Sequence, residues 1–196
     1  MKPASAVCAL LCLGAAVRAD APATRRDATQ LKQKIAAITA HAEKPPGQPL
    51  RTTVTEGEVN SYIVYEAREQ VPIGVVDPYV TILGSGRVSG RAVVDLDAVR
   101  KEKNPTSLLD PMNYLMGRLP VTATGVLRTT NGVGRFELES AAVSRIPVPK
   151  LFLQEIVSYY SRTPQNPAGI NLDDPFELPA RIREIQVERG QAIIVQ

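Results

Sequence analysis

Apolar residues recur along this chain first at helical and then at strand spacing, and the changes of period divide it into elements. Leu31, Ile35 and Ile38 share one helical face within Thr29–Glu43, so an amphipathic helix is predicted there, ending before Pro45-Pro46. Residues 20–28, rich in Ala, Pro and Thr, read as a flexible start, and Leu50–Val54 as a short strand. Thr55-Glu56-Gly57-Glu58 is a capping box: the threonine hydroxyl accepts from the amide three residues on, and the glutamate reaches back. It opens a helix predicted over Glu58–Gln70, with Val59, Ile63 and Ala67 on one face and Tyr62 beside them.

The period then changes to two. Val75–Leu83 and Arg87–Asp97 flank Gly84-Ser85-Gly86, a turn that supplies positive backbone angles at little cost. In the second strand Val88, Gly90, Ala92, Val94 and Leu96 face one way, against a largely polar opposite face. One wet and one apolar face is the pattern of an antiparallel sheet. Ser107–Gly117 is predicted helical, with Leu108, Met112 and Leu115 as its stripe. Leu119–Thr129 and Val133–Val143 form a second hairpin about Asn131-Gly132, with Phe136, Leu138 and Ala142 inward on its second strand. Pro147-Val148-Pro149 interrupts the sheet, and Lys150–Arg162 is an amphipathic helix bearing Leu151, Phe152, Ile156, Tyr159 and Tyr160. An irregular segment, Thr163–Pro179, carries four prolines, and a last hairpin pairs Ile182–Glu188 with Gln191–Gln196.

Hairpins alternating with amphipathic helices predict an α+β fold: a coiled antiparallel β-sheet built from hairpins, with the helices on its concave apolar face. Small residues on that face (Gly90, Ala92, Ala123, Gly125, Ala142) leave room for a cavity, and a core filled by the helices is the alternative.

Composition narrows the chemistry. Met1–Ala19 has a basic start at Lys2, an apolar run over Ala4–Val17 too short to span a bilayer, and small residues at Val17-Arg18-Ala19, so 1–19 is expected to be a signal peptide. Residues 20–49 are then a linker with the first helix, and 50–196 a single domain, exported and periplasmic. Both cysteines, Cys8 and Cys12, fall inside the leader, and neither sits in a good lipidation motif. The remainder carries one histidine, His41, and no thiol, which removes most nucleophile and metal chemistry. Of 23 basic residues, Lys2 and Arg18 belong to the leader, leaving 21 against 20 acidic ones. That balance, with no basic cluster among aromatics, argues against nucleic acid as a partner.

Several motifs have plain readings. Gly84-Ser85-Gly86-Arg87-Val88-Ser89-Gly90 leads into a strand, whereas a phosphate-cradling loop leads into a helix. Asp95 and Asp97 on one strand face lack a third oxygen ligand, and Asn171, Asp173 and Asp174 lack a full calcium-loop pattern. Glu137 and Glu139 alternate with Phe136 and Leu138 and point to solvent. No catalytic constellation assembles, so no enzyme and no cofactor are expected.

Thr55-Glu56-Gly57-Glu58-Val59-Asn60-Ser61-Tyr62-Ile63 resembles the T-x-x-E-L-N-x-x-L helix start of small exported bacterial members of the tubular lipid-binding (TULIP) superfamily. Pro175–Pro179 with Ile182–Gly190 resembles their closing hairpin, and the order of elements is similar across most of the exported chain. The resemblance implies a coiled sheet wrapping a helix, with lipid chains held in the apolar groove between them. On that reading the groove wall is Val59, Tyr62, Ile63, Met112, Leu115, Leu151, Phe152, Ile156 and Tyr160. The expected partner is a lipid or other acyl-chain ligand in the cell envelope, with an envelope protein partner and peripheral membrane contact compatible with it. The competing reading is an envelope interaction module with a filled core, using residues 163–179 as its contact surface.

Overall fold

A computed structural model of the chain describes residues 22–45, 47–103, 116–162 and 166–196. The elements run α1 (Arg25–Ala42), β1 (Arg51–Thr55), α2 (Glu56–Tyr65), β2 (Val75–Gly84), β3 (Arg87–Asp95), α3 (Leu96–Lys103), β4 (Arg118–Thr130), β5 (Val133–Val143), β6 (Ile146–Pro147), α4 (Lys150–Tyr160), β7 (Phe176–Glu177), β8 (Glu184–Glu188) and β9 (Gln191–Val195). The fold is α+β with a large antiparallel sheet. Its strands divide into two sheets rather than one: a short sheet in the order β1-β9-β8, and a long one in the order β2-β3-β4-β5-β6, with β7 added to β5.

The first helix begins earlier than its apolar stripe. Thr24 caps it by accepting from the Asp27 amide at 3.1 Å, and Asp27 places negative charge in the first turn, so residues read as a flexible start are helical from Arg25. The capping box at Thr55 forms in full, with Glu58 Oε2 accepting from the Thr55 amide at 2.8 Å. Here, however, the side chains of α2 that are most deeply buried are polar: Glu58, Asn60 and Ser61. Each ties the helix to a different neighbour.

Ser61 Oγ accepts from the Thr24 amide at 3.0 Å, and Glu58 takes the Lys34 ammonium of α1 at 2.6 Å. Asn60 and Glu56 turn the other way, towards β2, which is an edge strand. Asn60 Oδ1 accepts from the Val80 amide at 2.7 Å while its Nδ2 donates to the Val80 carbonyl at 2.8 Å. Glu56 Oε2 accepts from the Ile82 amide at 2.7 Å. The helix therefore covers the open edge of the long sheet with side-chain groups, where another strand would otherwise pair.

Burial by itself pushes the Glu58 carboxyl up, but the Lys34 ammonium and the Thr55 amide and hydroxyl outweigh it and hold it below the ordinary glutamate value. A carboxyl depressed in the folded state stabilises the fold above its unfolded value, and that stability is lost as pH falls through the folded one. The urea midpoint is thus expected to hold above about pH 4.3 and to fall below it. Glu58→Gln should flatten that acid limb; an unchanged limb would place the acid sensitivity elsewhere.

In the long sheet, directly paired residues share a face. Ile82, Val88, Gly125 and Leu138 form one rung, and Val80, Gly90, Ala123 and Ala141 the next. Between them β5 carries one extra residue, Glu139, because Thr124 pairs with Ser140 and Gly125 with Leu138. This bulge reverses the alternation. Ala141 and Val143 consequently take the apolar face, and Ala142, expected there from period two, pairs with Thr122 on the other. The outer face carries Arg87–Glu139 and Arg128–Glu137 ion pairs and the Arg91 guanidinium 4.5 Å from the Tyr79 ring centroid.

Gly125 is required by close approach: an added Cβ would strike the Phe136 ring and lie 2.6 Å from the Glu137 carbonyl. Gly125→Ala is expected to cost about 2–3 kcal/mol by overpacking, read from urea unfolding. A loss below about 0.5 kcal/mol, the range of a neutral surface change, would show that the ring moves freely aside.

The packed core lies at one end. Thr129 Oγ1 bonds both the amide and the carbonyl of Ile185, and Gly190 and Gly86 bond across to Ile82 and Val187, so the short sheet closes over the hairpin end of the long one. Among the described residues the buried apolar side chains are Ala28, Leu31, Ile38, Val54, Ala67, Ile82, Ile182 and Val187. Only Ile82 of these belongs to the long sheet.

Candidate ligand groove

Away from that end, the apolar face of the long sheet is half-buried at every large side chain: Val75, Val80, Val94, Leu119, Val121 and Val143. Across its middle runs the rung Val80, Gly90, Ala123 and Ala141, spanning four strands and therefore about 14 Å. A Cβ placed on Gly90 meets no atom of the described residues within 4 Å, so among these residues nothing packs directly on the middle of this rung. The next rung, Ala92 with Val121 and Val143, continues the same floor. Small side chains in the middle and branched ones around them make a shallow apolar trough rather than a packed layer.

Two helices lie towards opposite edges of this sheet. α2 packs on β2 and presents Val59, Tyr62 and Ile63 half-buried. α4 packs on β5, with Leu151 82% and Phe152 56% exposed. Ile146 of β6, just before α4, is 69% exposed, so three large apolar side chains stand in solvent within seven residues of chain. Ile156 and Tyr160 belong to α4, while Met112 and Leu115, together with the helix expected around them, lie outside the described residues.

The sequence places the expected wall on the helices and small residues on the sheet face, and the structure gathers Gly90 and Ala123 of that face into one rung. The signal was present: β3 and β4 carry Gly and Ala at alternate positions. The bulge that brings Ala141 into the rung left no comparable mark.

The remaining motifs resolve into structural roles. β3 ends at Asp95, two residues earlier than alternation predicts, because Asp95 Oδ1 accepts from the Ala98 amide at 3.0 Å and starts α3, where a strand end was expected. That bond and the Arg118 guanidinium hold the Asp95 carboxyl below the usual range. Asp97 accepts from Arg100 and from the Gly117 amide, so the two carboxylates do not share a strand face. Asn171 and Asp174 close a turn on each other, and Asp173 pairs with Lys150. The segment that follows α4 is sewn to it by Gln154, Ser158 and Ser161, which bond residues 170 and 172. Among the described residues no group of His, Cys, Asp and Glu is placed to hold a metal ion, and no helix is long and apolar enough to cross a membrane.

No family model matches the chain, and no curated protein does. Three solved chains match. One, a crystal structure of lipopolysaccharide binding protein, shares 18% identity over 75% of this chain at a TM-score of 0.23. This chain spans 40% of that structure's length.

Proposed function

We propose that this chain is an exported, non-catalytic protein of the cell envelope that holds a lipid or other acyl-chain ligand against the apolar face of its long sheet. The observation that supports the reading is the half-buried sheet face with an open trough over Gly90. Water left on such a face is displaced by an acyl chain at a gain of about 0.8 kcal/mol per methylene buried, so binding needs no cofactor and few polar groups. Kinship with the TULIP superfamily is part of the same proposal, as are the helical wall residues Val59, Tyr62, Ile63, Leu151 and Phe152. The test is native mass spectrometry with lipid extraction on protein purified without detergent from its own envelope. Stoichiometric co-purifying lipid is expected. A clean apo mass that persists after incubation with envelope lipids would overturn the proposal.

A second reading is favoured by the exposed Leu151, Phe152 and Ile146, which together make an apolar ledge suited to a protein partner or a membrane surface. Leu151→Glu with Phe152→Glu separates the two: loss of envelope association with lipid retained assigns the ledge to contact and the trough to cargo.

A further inference from the structure

A second cavity, of about 510 Å3, lies at the closed end of the molecule, away from the trough. Its walls come from the end of α1 and the chain after it (His41, Lys44, Gln48), the β4–β5 turn (Asn131), and the segment leading into β8 (Arg181, Arg183). Among the described residues no aspartate or glutamate lines it. Among the described residues Lys44, Arg181 and Arg183 pair with no aspartate or glutamate, in contrast to the paired arginines of the outer sheet face.

The arginines are positioned rather than merely present. Arg181 Nη1 donates to the Lys44 carbonyl at 2.9 Å, and Arg183 Nη2 to the main-chain oxygen of Gln196 at 3.3 Å, which anchors both guanidinium groups beside the cavity. Ala180 and Arg181 hold φ values of +52° and +54°, an unfavourable conformation for side-chain-bearing residues. Gln196, 5% exposed, forms part of the wall. Its Nε2 donates to the Ile38 and Ala180 carbonyls, while its buried Oε1 has no donor.

We infer that this cavity binds a phosphate ester, with Lys44, Arg181 and Arg183 engaging the phosphate oxygens. Guanidinium groups suit phosphate because their planar donors match its oxygens, and cations that pair with no aspartate or glutamate give up little on binding it. A volume of about 510 Å3 exceeds what a bare phosphate fills, so room remains for a small organic group. The amides of Gln48 and Asn131 suit hydroxyls on that group better than an alkyl chain. The chemistry is that of a glycerophosphate, free or as the headgroup of a lipid. The site is independent of the acyl-binding proposal, since the two share no residue.

Calorimetry on the full chain with glycerol 3-phosphate, and flotation with phosphatidylglycerol against phosphatidylcholine vesicles, distinguish the two sources. Saturable binding of the soluble ester, or flotation that requires phosphatidylglycerol, is expected, with affinity lowered about 10-fold or more by Lys44→Gln or Arg183→Gln. Arg181→Asn removes a cation while suiting the left-handed backbone, so it should bind weakly yet unfold no more easily than the parent. Failure of both ester probes would overturn the inference. So would inorganic phosphate or sulfate binding as well as the ester, or variants that bind unchanged. Neither probe depends on the trough, so loss of acyl binding leaves this result intact.

Discussion

Replacing Asn60 with alanine is expected to lower the unfolding free energy by about 2–4 kcal/mol, because it orphans both the amide and the carbonyl of Val80 at the covered edge of β2. Asn60 is only 3% exposed, so water does not readily replace it. Asn60→Asp provides the sharper test. The carboxylate still accepts from the Val80 amide but turns its second oxygen towards the Val80 carbonyl, so burial and that carbonyl both raise its pKa in the folded state. A raised carboxyl contributes stability at low pH that is lost as pH rises through the folded value. Asn60→Asp should therefore gain on acidification while the parent loses through Glu58. Both substitutions unmask an open edge and should promote association through β2, visible as a concentration-dependent mass. A cost under about 0.5 kcal/mol with no association would show that α2 is not what protects the strand.

Filling the trough is expected to have the larger effect on binding. Gly90→Phe places a ring where an added Cβ meets no atom of the described residues within 4 Å, at a strand position whose backbone lies outside the positive-φ region, so the fold should be retained. A ring that displaces about four methylenes of an acyl ligand removes about 3 kcal/mol, on the order of 100-fold in affinity. The readout is displacement of a fluorescent fatty acid, with the urea midpoint measured alongside. Unchanged acyl affinity in a folded Gly90→Phe protein would remove the trough from the proposed site. Ile146→Glu, at an exposed position that is not among the proposed wall residues, serves as the contrasting variant and should leave trough binding nearly unchanged.

Legibility in the sequence followed the range of the interactions. The capping box at Thr55, the hairpin turns at Gly84–Gly86 and Asn131-Gly132, and the strand alternation of β3 and β4 are set by residues within a few positions of one another. They were accordingly readable from the chain. The start of α1 at Thr24 was readable in principle, since Thr-x-x-Asp is a cap, but the Ala, Pro and Thr around it carry no apolar stripe. The early end of β3 at Asp95 was hidden for a related reason. A capping aspartate and an outward strand aspartate look alike until the helix after it is known.

By itself the sequence determined the hairpins, the capped second helix, the α+β class, the one-sided sheet and the small residues at Gly90 and Ala123, but not the helix at Leu96–Lys103. Each of these follows from local propensity or from a period of two or 3.6. Only the tertiary structure decided that the hairpins form two sheets and that a bulge at Glu139 turns Ala141 inward in place of Ala142. It alone assigned Asn60 and Glu56 to the edge of β2, some twenty or more residues away. It alone gathered Lys44, Arg181 and Arg183 round one cavity. The physical reason is the same throughout. Register, edge protection and cavities arise where groups distant in the chain satisfy or fail to satisfy one another, and no periodicity along a single strand or helix records that.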